Sequence, residues 1–134
     1  MSTRSQAPAR DFTVGVLVVD DQLVFRQAAR AVIEATPDFV LLGEATSGAH
    51  ALAAVEELHP DLVLVDVRMP GMDGIETATR IRSVHPESVV VLISIEEPPN
   101  VPMGVASCGA VTLVRKQDFG PALLRRIWGA YSTG

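Results

Sequence analysis

Short, almost uninterrupted apolar runs recur along this chain and constrain its fold more than any other feature. The runs are four to six residues long and rich in valine, leucine and isoleucine. A strand with one face in water alternates apolar and polar residues, so continuous runs of this length indicate strands that are covered on both faces. We therefore predict five central strands, at Val14 to Val19, Phe39 to Leu42, Leu62 to Val65, Val89 to Ile93 and Val111 to Val114.

Helical patterns lie between most of these runs and after the last one. Apolar residues at intervals of three and four predict four helices. Ser47 and Asp73 are the predicted N-caps of the second and third helices, and Pro121 suits the first turn of the last one. The apolar stripes consist of Phe25, Ala28, Ala29 and Val32; of Leu52, Val55 and Leu58; of Ile75, Ala78 and Ile81; and of Phe119, Leu123 and Ile127.

The segment between the fourth and fifth strands differs from the other connections. From Glu96 to Gly109 it contains three prolines and a further glycine, Gly104, so we expect the helix there, the fourth of five, to start late or be irregular. Strands that alternate with helices imply right-handed crossovers and an open, doubly wound α/β sheet that is parallel and has helices on both faces. In such sheets, ligands bind beyond the carboxyl ends of the strands, where the strand order reverses.

Composition agrees with one globular domain and excludes several other classes of protein. Of the 134 residues, 48% are hydrophobic, which is enough for one globular core. The chain has 11 basic and 16 acidic residues, and its net charge of −5 differs from the positive charge that is typical of a nucleic-acid-binding domain. Cys108 is the single cysteine, which excludes a disulfide framework. No apolar run reaches the roughly 20 residues of a membrane span, and the N-terminus has no signal-peptide pattern. We expect a flexible leader at residues 1–11, one domain at residues 12–134, and a cytoplasmic location.

Polar or charged side chains follow four of the five predicted strands. Asp20 and Asp21 come after the first, Asp66 after the third, Ser94 after the fourth, and Lys116 just beyond the fifth. Because the carboxyl ends of parallel strands meet at one edge of the sheet, we expect these side chains to lie together. Three carboxylates and one ammonium leave an excess of negative charge, which a hard divalent cation such as Mg²⁺ would neutralise.

A phosphoryl group is the ligand that this combination fits best. Phosphoryl transfer needs groups that position the phosphate and neutralise its charge, and a metal ion with Lys116 would do both. Carboxylates act as nucleophiles in forming acyl phosphates, so Asp66 is a candidate acceptor. The Ser94 hydroxyl adds a hydrogen-bond donor for a phosphoryl oxygen.

The segments VLVVDDQ, DLVLVDVRMPGMDGIE, VLIS and LVRK, in this order, resemble the receiver domain of two-component response regulators. The resemblance covers about residues 14 to 128. It is closest to the subfamily that is usually joined to a C-terminal helix-turn-helix DNA-binding domain and regulates transcription. It implies the chemotaxis-regulator-like, flavodoxin-like fold, with five strands in the order 2-1-3-4-5.

The resemblance also implies a role for each polar residue at the strand ends. It makes Asp66 the phosphoacceptor for a histidine kinase. It makes Asp20 and Asp21 the Mg²⁺-binding acids, which act together with Asp66 itself and the backbone carbonyl of Arg68.

The remaining roles concern the response to phosphorylation. Ser94 becomes the switch hydroxyl that follows the phosphoryl group, and Lys116 becomes its counter-ion. The chain would then be no enzyme but a phosphoacceptor that assists its own phosphorylation and dephosphorylation. The family's usual signalling face, made of the fourth helix, fifth strand and fifth helix, would also be the surface of a homodimer.

Residues at four positions bear on how phosphorylation would be read out and how long it would last. Leu113 stands three residues before the lysine, where receivers commonly have Tyr or Phe, and Ile95 follows the switch hydroxyl, where a small residue is common. These two residues put the standard readout of phosphorylation in question. Arg68 and Glu96 lie two residues beyond the phosphoacceptor and the switch hydroxyl, where side chains control water access to the acyl phosphate. Their opposite charges would pair across the site and prolong the signal.

Other functions stay open at this point. A degenerate receiver would act as an unphosphorylated interaction module, and Leu113 keeps that alternative open. A phosphatase of the haloacid dehalogenase type would need an aspartate where Arg68 stands. A flavin or nucleotide carrier would need a phosphate-binding loop where Asp20 and Asp21 stand.

Overall fold

Five parallel strands form the sheet in a computed structural model that describes residues 13–95, 104 and 107–132. The strand order is β2-β1-β3-β4-β5, and every neighbouring pair is parallel. The predicted order is thus confirmed, and the order reverses between β1 and β3. The strands are β1 (Val14–Val19), β2 (Phe39–Ala45), β3 (Leu62–Asp66), β4 (Val89–Ser94) and β5 (Thr112–Arg115).

Helices cover both faces of this sheet, as predicted. Leu17 and Val63 point to a core that includes α2 and α3, whereas Val16 and Leu64 point to a core that includes α1 and α4. Each central strand therefore contributes to two cores, which explains why its sequence is apolar throughout. The helices among the described residues are α1 (Leu23–Glu34), α2 (Gly48–Leu58), α3 (Gly74–Val84) and α4 (Pro121–Tyr131).

The predicted helix starts are confirmed by their caps. The hydroxyl of Ser47 accepts a hydrogen bond from the backbone N–H of His50 at 3.1 Å. The carboxylate of Asp73 accepts one from the backbone N–H of Glu76 at 2.9 Å. Pro121 is the first residue of α4, where its missing N–H has no helical partner to lose.

The apolar stripe of α1 is rotated from its predicted position. Ala28 belongs to the predicted stripe but is exposed, whereas Ile33, which lies outside the predicted stripe, is fully buried. The fully buried residues Ala29 and Ile33, one helical turn apart, mark the centre of the sheet-facing side, and Ala28 lies farther around the helix from that centre than Phe25 or Val32 does. Phe119 also differs from the prediction, because it precedes α4 and packs on the core from the preceding turn.

Strand β2 extends to Ala45 and so runs further than its predicted end at Leu42. The prediction stopped where Gly43 and Glu44 interrupt the apolar run. In the structure the Glu44 carboxylate accepts hydrogen bonds from Arg26 of α1 at 3.1 Å and from Arg30. These ion pairs satisfy the charge at the edge of the sheet, so the strand continues past it.

Two expectations fall outside the described residues. The leader at residues 1–11 is not among them, and most of the connection from Glu96 to Gly109, with its irregular helix and Glu96 itself, is not either. Within the described part of the chain, no helix is both long and apolar enough to cross a membrane.

Candidate functional site

The polar residues predicted at the strand ends do meet at one edge of the sheet. Asp66 and Ser94 are the last residues of β3 and β4, Asp20 directly follows β1, and Lys116 directly follows β5. Asp20, Asp66 and Ser94 are buried. A pocket of about 200 Å³ opens at this edge, and it is lined by Gln22, Asp66, Arg68, Ser94, Ile95 and Lys116.

Three carboxylates form an acidic cluster at the pocket. One oxygen each from Asp20, Asp21 and Asp66 lies within 4.8 Å of the other two. Oδ1 of Asp20 accepts a hydrogen bond from the backbone N–H of Gln22 at 2.8 Å. Oδ2 of Asp20 is buried, and among the described residues it has an ion pair with the ammonium of Lys116 and no neutral hydrogen-bond donor. Three clustered carboxylates with one ammonium beside them leave an excess of negative charge, which suits a hard cation that binds oxygen ligands.

Lys116 provides the positive charge of the site. Its Nζ forms an ion pair with Oδ2 of Asp20 at 2.7 Å. The same nitrogen lies 3.6 Å from Oδ2 of Asp66. The ammonium therefore faces both buried acids, and it is close enough to Asp66 to contact a group attached there.

The surroundings of Asp66 disfavour the ionised form of its carboxyl group. Burial raises its pKa to about 6, and repulsion from the neighbouring Asp20 adds to the effect. The charge of Lys116 and a 3.3 Å hydrogen bond from the backbone N–H of Arg68 oppose this rise. At neutral pH the carboxylate is therefore mostly ionised, and Lys116 balances its negative charge only in part. An added cation would stabilise the ionised form.

The turn after β3 holds Asp66 in place. A Cβ atom on Gly74 would lie 2.0 Å from the backbone carbonyl oxygen of Asp66, so only glycine allows this approach. The N–H of Gly74 donates to the carbonyl of Val67 at 2.8 Å, and the N–H of Val67 donates to the carbonyl of Ile93 at 2.9 Å. These bonds connect α3 and β4 to the residue next to the phosphoacceptor candidate.

Helix α1 supplies residues that the sequence analysis did not single out as part of the site. Arg26 donates from Nη1 to the backbone carbonyl of Asp20 at 2.9 Å. The ring centroid of Phe25 lies 4.8 Å from Nζ of Lys116. The sequence gives only a weak indication that these two residues belong to the site, namely that Phe25 and Arg26 come about one helical turn after the acidic pair.

The modulating residues occupy different environments. Ile95 lines the pocket and is 70% exposed, and Arg68 lines it from the turn after β3. Leu113 pairs with Leu92 across β4 and β5 and is partly buried against the core under α2 and α3. Glu96 lies outside the described residues, so the predicted pair with Arg68 stays a prediction.

Comparisons with known proteins agree with this geometry. The family model described as the response regulator receiver domain matches residues 16–127. The protein-glutamate methylesterase/protein-glutamine glutaminase 1 of Pseudomonas savastanoi pv. phaseolicola is 36% identical over 108 residues, which are 80% of this chain and 30% of that protein. The transcriptional regulatory protein YdfI of Bacillus subtilis is 37% identical over 82 residues, which are 61% of this chain and 38% of that protein.

A solved structure is similar over nearly the whole described fold. The response regulator domain of CheB from Thermotoga maritima matches with a TM-score of 0.77 and 29% identity, covering 88% of this chain and 96% of that chain. The chain spans about a third of the length of the two curated relatives above.

Proposed function

This chain belongs to the response regulator receiver domain family of two-component systems, and from that premise we propose that it accepts a phosphoryl group on Asp66 in a Mg²⁺-dependent reaction. The donor is the phosphohistidine of a histidine kinase. One observation carries the proposal: the buried carboxylates of Asp66 and Asp20 lie within 4.8 Å of each other, and both face the ammonium of Lys116.

The metal ligands we propose are the carboxylates of Asp20, Asp21 and Asp66 with the backbone carbonyl of Arg68. The 4.8 Å spread of the three carboxylate oxygens supports the first three. The place of Arg68 two residues after Asp66, with its N–H bonded to that carboxylate, supports the fourth. When bound, Mg²⁺ would neutralise part of the acidic charge and bind oxygens of the incoming phosphoryl group.

The transfer needs a carboxylate nucleophile. An oxygen of ionised Asp66 attacks phosphorus, the phosphorus–nitrogen bond to the donor imidazole breaks, and its electron pair stays on the imidazole. Lys116 compensates the negative charge that arrives, and Ser94, at the end of the neighbouring strand, donates a hydrogen bond to a phosphoryl oxygen. Attack of water on the acyl phosphate later releases inorganic phosphate and restores the Asp66 carboxylate.

The output we propose is a population shift between two packings around Ser94 and the signalling face, which consists of the predicted fourth helix, strand β5 and helix α4, the fifth of the predicted helices. Leu113 lies on that face in place of an aromatic ring and packs against the core with part of its surface. A leucine side chain has no ring to turn inward, so the shift relies on the movement of Ser94 and Ile95. A homodimer through this face is the assembly that such a shift would regulate.

Side chains at the pocket mouth would set the lifetime of the acyl phosphate. Ile95 and Arg68 line the pocket in which water must reach the phosphoryl group. We propose that Arg68, together with Glu96, restricts that access. Replacing both with alanine should speed hydrolysis, whereas an unchanged lifetime would contradict the role.

The substrate of the reaction is the chain itself and no external phosphate ester. Residues 12–134 act as one receiver domain in the cytoplasm, and this domain itself contacts no nucleic acid, in keeping with the chain's net charge of −5.

Intact-mass analysis after incubation with acetyl phosphate and Mg²⁺ tests the proposal. We expect one added phosphoryl group, which is lost with a chelator or with Asp66→Asn. Asp73→Asn is the matched control, because this nearby aspartate caps α3 and asparagine caps equally well. A phosphoryl group that persists in Asp66→Asn, or an unmodified wild-type chain, would overturn the assignment.

A further inference from the structure

The ammonium of Lys116 lies against an aromatic ring as well as between two acids. Its Nζ is 4.8 Å from the ring centroid of Phe25, within the distance at which a cation is attracted to a π face. Among the described residues, the same nitrogen also contacts Oδ2 of Asp20 at 2.7 Å and Oδ2 of Asp66 at 3.6 Å. The lysine side chain is only 11% exposed, so little of this attraction is screened by water.

The Phe25 ring is itself held in place by the turn that carries the lysine. Phe25 packs against Phe119, with ring centroids 6.1 Å apart and planes at 52°. The backbone N–H of Phe119 donates to the carbonyl of Lys116 at 3.2 Å, across the 3₁₀ turn Lys116–Asp118. Phe25 therefore contacts the turn on both sides, at the ammonium and at Phe119.

We propose that Phe25 is a positioning residue that directs the Lys116 ammonium toward Asp66, an inference that rests on the proposed function. A cation bound by Asp20 would take up the oxygen that the ammonium now contacts and would repel the ammonium. A lysine side chain has four rotatable bonds, so it would then be free to turn to solvent. The ring of Phe25 confines it to the pocket, where Oδ2 of Asp66 is the other carboxylate oxygen that it faces.

The chain offers an unusually selective signal for this contact. Lys116 is its only lysine, because the other ten basic residues are arginines. In protein labelled with ¹³C-lysine, the single ε-methylene signal should be shifted upfield by the ring current of Phe25. Phe25→Leu should remove this shift. Phe39→Leu is the matched control, since Phe39 packs on the same core but lies at the start of β2, and it should leave the shift in place.

The functional arm measures the rate of phosphorylation by acetyl phosphate at saturating Mg²⁺. Phe25→Leu should lower the rate by roughly threefold to tenfold, the range that one cation–π contact allows, while Phe25→Trp keeps an aromatic face and should retain most of it. In a Lys116→Met background, Phe25→Leu should have no further effect. Thermal unfolding of each variant checks that it is folded.

Two results would overturn the proposal. One is an unshifted ε-methylene signal in the wild-type protein; the other is a loss of rate in Phe25→Leu that persists in the Lys116→Met background. If the wild-type chain takes up no phosphoryl group at all, the proposed function fails instead, and the ring-current shift alone decides whether Phe25 orients the ammonium.

Discussion

Replacing Asp66 with asparagine should make the metal-free protein more stable at neutral pH. Asparagine keeps the shape of the side chain and an oxygen that can accept the 3.3 Å hydrogen bond from the N–H of Arg68. It removes a buried negative charge that burial and the neighbouring Asp20 both disfavour. A substitution that abolishes phosphorylation would thus stabilise the fold, as expected where an acidic site is built to hold a cation.

The size of this effect follows from the pKa of Asp66, which is raised from its ordinary 3.8 to about 6. At about 1.4 kcal/mol for each tenfold change in the ionisation constant, the rise corresponds to an upper estimate of about 3 kcal/mol. The folded state holds the Asp66 proton more tightly than the unfolded state, so the contribution of Asp66 to wild-type stability becomes less favourable as pH rises from about 4 to about 6 and then stays constant. Below about pH 4 both states are protonated, and the penalty disappears.

Urea unfolding in EDTA, at about pH 8 and about pH 4, measures the difference. Asp66→Asn should be more stable than wild type by about 2 to 3 kcal/mol at the higher pH and nearly equal at the lower one. Asp73→Asn should show no comparable gain, because that aspartate is solvated and asparagine is an equivalent cap. A stability advantage of Asp66→Asn that is absent at the higher pH, or unchanged at the lower one, would refute the electrostatic reasoning.

Three further predictions test the scaffold around the site. Gly74→Ala should destabilise the protein by about 3 kcal/mol or more in urea unfolding, because the added Cβ would lie 2.0 Å from a backbone carbonyl oxygen. Gly129→Ala is the control, since this glycine of α4 has open space around it, and it should stabilise the protein by about 0.5 to 1 kcal/mol. Ile33→Ala should cost about 3 kcal/mol in the same assay, and a small loss would contradict its burial in the core under α1. Arg26→Met should weaken Mg²⁺ binding roughly tenfold in calorimetry, because it removes the hydrogen bond to the backbone carbonyl of Asp20. Arg30→Met should leave Mg²⁺ binding unchanged, because among the described contacts Arg30 pairs only with Glu44.

The strands and the main site residues could be predicted because both follow from one physical rule. A strand covered on both faces must be apolar throughout, so its ends are marked by the first polar residues, here Asp20, Asp66 and Ser94. Parallel strands bring those ends to the same edge. The sequence alone therefore predicts that these three residues and Lys116, which comes just after the fifth strand, lie close together.

Other features depend on packing that no local pattern reports. The apolar run through Phe39 stops at Leu42 in the sequence, and only the folded protein shows that arginines on α1 neutralise Glu44 and let the strand continue. The contact between Phe25 and Lys116 depends on how α1 and the turn after β5 pack side by side, although the two residues lie near opposite ends of the chain.

The same limit applies to the turn after β3. Gly74 looks like an ordinary residue at a helix start in the sequence, because the close approach of the Asp66 carbonyl is created by the way the turn folds back. A glycine at such a position is consistent with many turns, and only the folded chain shows which atom needs the space.

Chemical trapping of the modified residue tests the central claim most directly. After incubation with acetyl phosphate and Mg²⁺, borohydride reduction converts an aspartyl phosphate to homoserine, and peptide mass spectrometry then locates that residue. We expect homoserine at position 66 alone, formed only when Mg²⁺ is present. Homoserine at position 20 or 21, or label found on another type of residue, would contradict the claim that this pocket directs a phosphoryl group to Asp66.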